Sequence, residues 1–375
     1  MIEPTQTSKP TNTSSHTHTS RRAHYIIPIF VPHKGCSHDC IFCNQKKITG
    51  SSVEITAKEV KETIDKYLKT INRDNSYVEI SFFGGSFTGI PMEYQNELLI
   101  VAKEAKDVHL IDAIRLSTRP DYIDKIILDN LLVHGVDIIE LGVQSMDYDV
   151  LNITERGHTS SDVIAAANLI RSYGFKLGLQ MMVGLPLDTI EKDLYTAEEI
   201  IKLKPDFCRI YPALVIRGTE LENMFNNNKY TPLSVDEAVD ICKKLYIEFT
   251  INNILIIRIG LQPTAEISLE GDIISGPFHP SFRELIEASI INDMIVYCIK
   301  NFYNNIKCIT IEINPRDISK LYADKKRYFN TTINTLKSIT IKIRQCQALP
   351  SLNLRFIGES NEKNMSLYEY INLVK

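Results

Sequence analysis

The order of apolar and amphipathic segments is the feature that most restricts the fold of this 375-residue chain. From Tyr25 onward, short runs rich in Val and Ile alternate with longer segments whose apolar residues recur at helical spacing. This alternation is typical of repeated β–α units around a parallel sheet. The six predicted strands are Tyr25–Val31, Val78–Phe83, Ala113–Ser117, Asp137–Gly142, Lys176–Met182 and Phe207–Leu214.

Two of the intervening helices have strong N-terminal signals. Thr56 is suited to cap a helix over Lys58–Ile71, and Glu59 is placed to complete a capping box. Ser234 and Glu237 have the same spacing before another apolar segment. Six strands with crossover helices fit either an open doubly wound sheet or a partial barrel, and in both folds functional groups collect at the carboxyl ends of the strands.

Three cysteines, Cys36, Cys40 and Cys43, follow the first predicted strand on one short loop. Thiolates at this spacing can bind a single iron–sulfur cluster. Three ligands leave one iron of a four-iron cluster open, whereas a structural zinc site normally has four protein ligands. A zinc site completed by His33 or His38 is the alternative, and the cysteines alone leave both interpretations open.

Distinctive segments also follow the second and third predicted strands. Gly84 and Gly85 permit close approach of the backbone to a ligand, although paired glycines also occur in ordinary tight turns. Ser117 and Arg119 can bind ribose hydroxyls or a carboxylate, and Arg119 can equally form a surface ion pair.

The fourth predicted strand carries one acidic residue, Glu140, among aliphatic side chains. A buried carboxylate needs a partner, so Glu140 is either an ion-pair partner inside the barrel or a site residue, and we favour the site. Gln144 at the strand end can contact an adenine or a ribose, and Arg156 follows in a turn near the same edge.

Composition separates the chain into a core and two smaller parts. Residues 1–22 are rich in Ser, Thr and His and are predicted to be disordered, and residues 23–300 contain the β–α units.

Residues 301–375 are predicted to form a small basic α+β domain. Its predicted strands are Cys308–Ile313, Ile339–Ile343 and Leu352–Ile357. Residues 300–375 contain thirteen Lys and Arg against six Asp and Glu, which favours either an RNA-docking surface or simply a solvated face.

The remaining composition indicates a cytoplasmic protein. The other five of the eight cysteines lie among apolar residues, as buried thiols do in a reducing compartment. There is no run of eighteen apolar residues and no basic-then-apolar leader, so we expect no membrane partner.

Several of these segments together resemble a known family. The cysteine motif C-x3-C-x2-C, with Phe42 before the third cysteine, resembles that of the radical S-adenosylmethionine (SAM) superfamily. The ordered set STRPD, ELGVQS, RGHT, GFK, Met-Met before LP, and YPALVIRGTELE resembles the radical SAM core of the Elongator catalytic subunit and its relatives. This resemblance covers roughly Tyr25 to Ile290. It implies an α/β fold, a partial (β/α)6 TIM-like barrel, here with a small C-terminal α+β extension.

The resemblance also implies cofactors and the residues that hold them. One 4Fe-4S cluster would be bound by Cys36, Cys40 and Cys43, and SAM would lie near Phe42, Gly84, Gly85, Ser117, Arg119, Gln144 and Arg156. An electron donor of the flavodoxin or ferredoxin type would reduce the cluster, and SAM would be cleaved to a 5′-deoxyadenosyl radical. Arg156 would neutralise the SAM carboxylate. The candidates for further catalytic roles are Tyr211, Arg217 and His279.

The substrate is less constrained, because the chain departs from the Elongator pattern. Cys36 and Cys40 are closer together than the corresponding cysteines there, and nothing after Ile290 shows an acetyl-CoA-binding, glycine-rich loop. Carboxymethylation of wobble uridine is therefore not carried over. We expect action on RNA, such as transfer RNA, with the basic C-terminal part as a docking module.

Two alternatives to an RNA-modifying enzyme remain open at this point. A related core oxidises porphyrinogens, whose propionates would need clustered arginines. The available arginines are Arg209, Arg217, Arg258 and Arg283. The second alternative is a non-catalytic zinc protein that presents its basic part to nucleic acid.

Overall fold

The computed structural model describes residues 22–31, 40–44, 55–263, 268, 270–303, 306–359 and 361–374. Cys36, with the alternative zinc ligands His33 and His38, lies outside these residues, as does nearly all of the predicted N-terminal tail.

Seven parallel strands form a curled half-barrel in chain order. They are β1 (Ala23–Val31), β2 (Ser76–Gly84), β3 (Ala113–Thr118), β4 (Ile138–Gln144), β5 (Lys176–Val183), β6 (Phe207–Pro212) and β8 (Leu255–Ile259). Beside them, the short strands β7 (Val215–Ile216) and β9 (Ile273–Ser275) pair antiparallel. The predicted partial barrel is confirmed, and each of the six predicted strands is present to within two residues at either end. The seventh, β8, was not among them, because a five-residue apolar run fits a buried helix segment equally well.

The helices cover the outer face of the half-barrel and continue into the C-terminal region. They are α1 (Ala57–Leu68), α2 (Met92–Asp107), α3 (Lys125–Val133), α4 (Tyr148–Ile153), α5 (Ser160–Ser172), α6 (Ile190–Leu203), α7 (Glu220–Asn226), α8 (Val235–Ile251), α9 (Phe282–Phe302), α10 (Ile318–Leu321), α11 (Ala323–Thr335) and α12 (Leu367–Val374). Both predicted capping boxes, Thr56 with Glu59 and Ser234 with Glu237, are present. Among the described segments, no helix has the length and apolar character needed to cross a membrane.

A second sheet follows the half-barrel, with strand order β11–β10–β12–β13. Its strands are β10 (Cys308–Ile313), β11 (Thr340–Gln345), β12 (Asn353–Ile357) and β13 (Glu362–Ser366). Ile311 and Phe356 of this sheet belong to the same continuous core as Ile295 and Ile299 of α9. The domain boundary near residue 300 stays a prediction, because α9 runs through it.

The inner face of the half-barrel carries a buried network of charges. Arg115 Nη2 lies 2.7 Å from Glu79 Oε2, and Arg115 Nη1 lies 3.7 Å from Glu140 Oε2. Arg209 Nε lies 2.9 Å from Glu140 Oε1. Glu140 is therefore an ion-pair partner, and our preference for a site role was wrong. Gly178 beside it leaves room for Phe207, because a Cβ at position 178 would lie 2.3 Å from the Phe207 ring.

Two carboxyl groups are buried together where β5 is followed by α6. Asp193 in the first turn of α6 is only 2% exposed, and Asp188 is half-buried in the preceding loop. Burial raises the pKa of both, and the negative charge of Asp188 raises that of Asp193 further. Lys192, in the same turn of α6, is paired with Asp147 at 2.9 Å. The pair therefore retains a proton in the folded protein at pH values where unfolded aspartates have lost theirs.

We expect Asp193→Asn to stabilise the protein by about 1–2 kcal/mol at pH 8. A raised carboxyl pKa gives stability that is fully present below about pH 4 and is lost as pH rises through the folded-state pKa. The stabilisation by Asp193→Asn should therefore become smaller as the pH falls towards 4. Urea unfolding of both proteins between pH 4 and 9 measures this change. Asp162→Asn is the control with opposite sign, because backbone hydrogen bonding at Thr159 lowers the pKa of Asp162. An equal effect of Asp193→Asn at all pH values would contradict the shared proton.

Candidate active site

The described part of the cysteine loop is fixed to the carboxyl end of the half-barrel. Cys40 is 5% exposed and Cys43 is half-buried, and the Cys43 N–H donates to the Cys40 carbonyl at 2.9 Å. The Ile41 N–H donates to Thr154 O at 3.3 Å, and the Ile41 carbonyl accepts from the Leu221 N–H at 2.8 Å. Two of the three predicted cluster ligands are thus held in place by neighbouring backbone, while Cys36 lies outside the described residues.

Phe42 lies between two small apolar clusters. It packs against the cluster of Val150, Leu185 and Ala213, and also against the cluster that contains Leu221 of α7. The ring therefore anchors the cysteine loop on the segments that follow β4, β5 and β6.

Gly84 and Gly85 bring the end of β2 against the residue that precedes the cysteine loop. Gly84 has a φ of +111°, and a Cβ there would lie 2.3 Å from Val31 O. The Gly85 N–H donates to the same carbonyl at 3.2 Å. Only glycine fits this close approach to the Val31 backbone, and the predicted contact of Gly84 and Gly85 with a ligand stays a prediction.

The end of β4 is irregular at the predicted cofactor residue Gln144. The register with β5 shifts between Gly142 and Gln144, and Gln144 has a φ of +67°, which is uncommon for a residue other than glycine. Its Oε1 accepts from Gln180 Nε2 at 3.2 Å. Strained backbone of this kind concentrates at functional sites.

Arg119 is almost fully buried and is held by several contacts. Its Nε donates to Asp121 at 2.9 Å, and its Nη2 donates to Asp121 at 3.1 Å and to the Arg156 carbonyl at 2.5 Å. Its Nη1 lies 4.0 Å from Cys40 Sγ. Ser117, two residues earlier on β3, is half-buried and lies beside Glu140 in register.

Arg156 also points at Cys40. Its Nη1 donates to Cys40 Sγ at 3.4 Å, and its Nη2 donates to Gly142 O at 2.6 Å. His158 lies beside it, 4% exposed, with Nε2 3.2 Å from Val143 O. Burial, and then the charges of Arg156 and Arg119, lower the pKa of His158 to about 3, so this imidazole is neutral at physiological pH. These contacts with Cys40 were not predicted, because no local signal connects positions 116 residues apart.

The three further catalytic candidates lie on different segments. Tyr211 is on the inner face of β6, where its hydroxyl accepts from Arg209 Nη1 at 3.1 Å. The Arg217 side chain is 55% exposed and lies 3.7 Å from Asp272. His279 Nδ1 accepts from the Ser281 N–H at 3.1 Å just before α9. Catalytic roles for these residues stay predictions, and the contact of His279 is that of a loop-stabilising residue.

The half-barrel with cysteines after its first strand defines a class of enzyme. The model of the radical SAM superfamily matches residues 30–200, and that of the Radical_SAM C-terminal domain matches residues 205–292. The chain belongs to the radical SAM superfamily. It is a radical SAM enzyme, with a 4Fe-4S cluster and SAM as cofactors.

Within this superfamily the relatives are Elongator-like. The tRNA uridine(34) acetyltransferase of Methanocaldococcus jannaschii is 28% identical over 256 residues, 58% of this chain and 47% of that protein. Elongator complex protein 3 of Homo sapiens is 31% identical over 286 residues, 67% of this chain and 50% of that protein. The chain thus spans about half the length of these relatives. The solved structure of Methanocaldococcus infernus Elp3 with an N-terminal deletion shares the fold, with a TM-score of 0.57 and 21% identity over 74% of this chain and 66% of that one.

The described residues fit the cofactors of the family. Buried Cys40 faces two guanidinium groups that can offset the negative charge of a thiolate-bound cluster. The Gly84–Gly85 turn keeps the adjoining strand end free of side chains.

Proposed function

We propose that this protein is a radical SAM enzyme that modifies RNA, with transfer RNA as the expected substrate. Cys36, Cys40 and Cys43 would hold the 4Fe-4S cluster. When bound and reduced by an external donor, the cluster supplies the electron that cleaves SAM to methionine and a 5′-deoxyadenosyl radical. The observation that carries the proposal is that Arg156 joins Cys40 to Gly142 near the carboxyl end of β4, where Gln144 has a positive φ.

The chain's own residues would bind and orient SAM at this end. We propose that the backbone of Gly84 and Gly85 contacts the amino group, and that Ser117 and Gln144 contact the ribose and adenine. Phe42 would keep the cysteine loop closed over the cluster, because it packs on both neighbouring apolar clusters. The assignment of Arg119 and Arg156 to SAM stays a prediction.

Three observations support an RNA substrate. The Methanocaldococcus jannaschii relative is a tRNA uridine(34) acetyltransferase, and the radical SAM family model matches the core of this chain. Residues 300–375 are strongly basic. Thirdly, Arg258 lies near the carboxyl end of β8 as the register neighbour of Arg209, which places it on the inner face of the half-barrel. No Asp or Glu in the described segments forms an ion pair with Arg258, and we propose that its guanidinium contacts a phosphate of the RNA.

The ion pairs of the other three available arginines argue against a porphyrinogen substrate. Of the four that could bind propionates, Arg209 is paired with Glu140, and Arg283 is paired with Glu287 at 2.8 Å. Arg217 lies 3.7 Å from Asp272. Several propionates would need several free arginines.

Anaerobic reconstitution tests the enzyme class, and RNA binding tests the substrate. We expect about four irons per chain, negligible zinc, and 5′-deoxyadenosine after addition of dithionite and SAM. A colourless zinc protein that leaves SAM intact would contradict the class. Transfer RNA should bind with an affinity that falls steeply with salt, and salt-independent or absent binding would contradict the RNA substrate.

We expect Arg258→Gln to weaken transfer RNA binding several-fold at low salt. Loss of one phosphate contact should reduce the slope of log affinity against log salt by about 1. Filter binding between 50 and 300 mM salt measures both. The matched control is Arg73→Gln, because Arg73 pairs with Asp112 at the amino-terminal end of the strands. Equal affinities and slopes for the two variants would show that Arg258 does not contact the RNA.

A further inference from the structure

Two buried arginines converge on one cysteine sulfur. Arg156 Nη1 is 3.4 Å from Cys40 Sγ, and Arg119 Nη1 is 4.0 Å from the same atom. Cys40 is 5% exposed, Arg156 6% and Arg119 1%. The sulfur is therefore largely shielded from water and surrounded by fixed positive charge, where electrostatic interactions are stronger than at the surface.

The rest of the protein holds both guanidinium groups in these positions. Arg156 Nη2 donates to Gly142 O at 2.6 Å, and a Cβ at position 142 would lie 2.8 Å from that nitrogen. Glycine at this position is thus what allows Arg156 to cross the end of β4. Arg119 is fixed by its two bonds to Asp121 and by its bond to the Arg156 carbonyl.

Among the described residues, the charges around the sulfur do not cancel. Two guanidinium groups face Cys40, Asp121 balances Arg119, and His158 is neutral because its pKa is lowered. In this part of the chain, the positive charge closest to the Cys40 sulfur is therefore that of Arg156, at 3.4 Å. In the described residues no carboxylate forms an ion pair with Arg156.

We infer that Arg156, supported by Arg119, donates a hydrogen bond to the cluster ligand Cys40 and so raises the reduction potential of the cluster. Reduction adds one negative charge to the cluster, so a nearby cation and a hydrogen bond to a ligand sulfur stabilise the reduced state more than the oxidised state. This inference rests on the proposed binding of the cluster by Cys40. It gives Arg156 a role that is exerted on the cluster before SAM is present, in contrast to neutralisation of the SAM carboxylate.

A redox titration of the reconstituted protein without SAM tests the inference. The reduced fraction is followed by electron paramagnetic resonance at a series of fixed potentials. At the wild-type midpoint, Arg156→Gln should decrease the ratio of reduced to oxidised cluster about tenfold, equivalent to about 59 mV for one electron. Arg156→Lys should recover part of the loss, because it retains the charge. Arg73→Gln is the control, since Arg73 pairs with Asp112 away from Cys40.

Binding of SAM, measured separately, distinguishes the two roles of Arg156. A wild-type potential in Arg156→Gln, with full iron content and only weakened SAM binding, would overturn the inference. Should Arg156→Gln not take up iron, Arg119→Gln is measured instead, and a wild-type potential in that variant would overturn the inference equally. Failure of the wild type to take up iron would instead count against the proposed function, so the two failures are separable.

Discussion

Cys40→Ala is expected to abolish both iron binding and SAM cleavage. Cys40 is the most buried of the proposed ligands in the described residues, and two arginine side chains are directed at its sulfur. With one thiolate removed, only two would remain for a cluster that needs three protein ligands. Iron and sulfide should fall to background after anaerobic reconstitution, and 5′-deoxyadenosine should not form with dithionite and SAM.

Cys308→Ala is the matched control for this substitution. Cys308 is half-buried on β10 of the C-terminal sheet, apart from the half-barrel, so its loss should leave iron content and SAM cleavage unchanged. Circular dichroism and the thermal transition establish that both variants are folded. Full iron content in folded Cys40→Ala would show that the cluster uses other ligands.

The sequence predicted the strands of the half-barrel well, because each is an apolar run bounded by glycine or polar residues. It was less informative where one pattern fits two structures. The apolar run of β8 resembles a helix segment, and β13, EKNMS, has no apolar pattern at all. Predictions for the cysteine loop and for Gly84 depended on local motifs, and each of these motifs is one continuous stretch of the sequence.

Pairing between distant residues was the information that the sequence did not contain. Glu140 was ambiguous because a single buried carboxylate has the same local pattern whether it meets a ligand or an arginine. Its partners Arg115 and Arg209 lie on other strands, and only the sheet brings them together. Arg156 reaches Cys40 across the barrel end for the same reason. Tertiary contacts therefore decided which polar residues form the buried network of charges and which lie at the carboxyl end of the half-barrel.

Arg115→Met is expected to cost about 3–5 kcal/mol of the free energy of unfolding, because it leaves buried carboxylates without their cation. Arg115 is 4% exposed, and Glu79 and Glu140 are each 3% exposed. Its guanidinium also lies over the Phe207 ring at 4.8 Å. Glu140 would retain Arg209, but within the described segments Glu79 would retain only the half-exposed His24 at 2.9 Å. Since typical domains have a total stability of about 5–15 kcal/mol, this loss would be a large fraction. Urea unfolding at pH 7 measures it.

Arg73→Met is the control that separates burial from pairing. Arg73 lies 2.8 Å from Asp112, but the two side chains are 28% and 22% exposed, so its loss should cost only about 1 kcal/mol. Replacing Glu79 by Gln in the Arg115→Met protein should recover part of the loss, because the unpaired charge is removed. Equal costs for Arg115→Met and Arg73→Met would show that the network adds nothing to stability. A large difference would show that the buried pairs of Glu79, Arg115, Glu140 and Arg209 stabilise the sheet whose strands carry Gly84, Ser117 and Gln144.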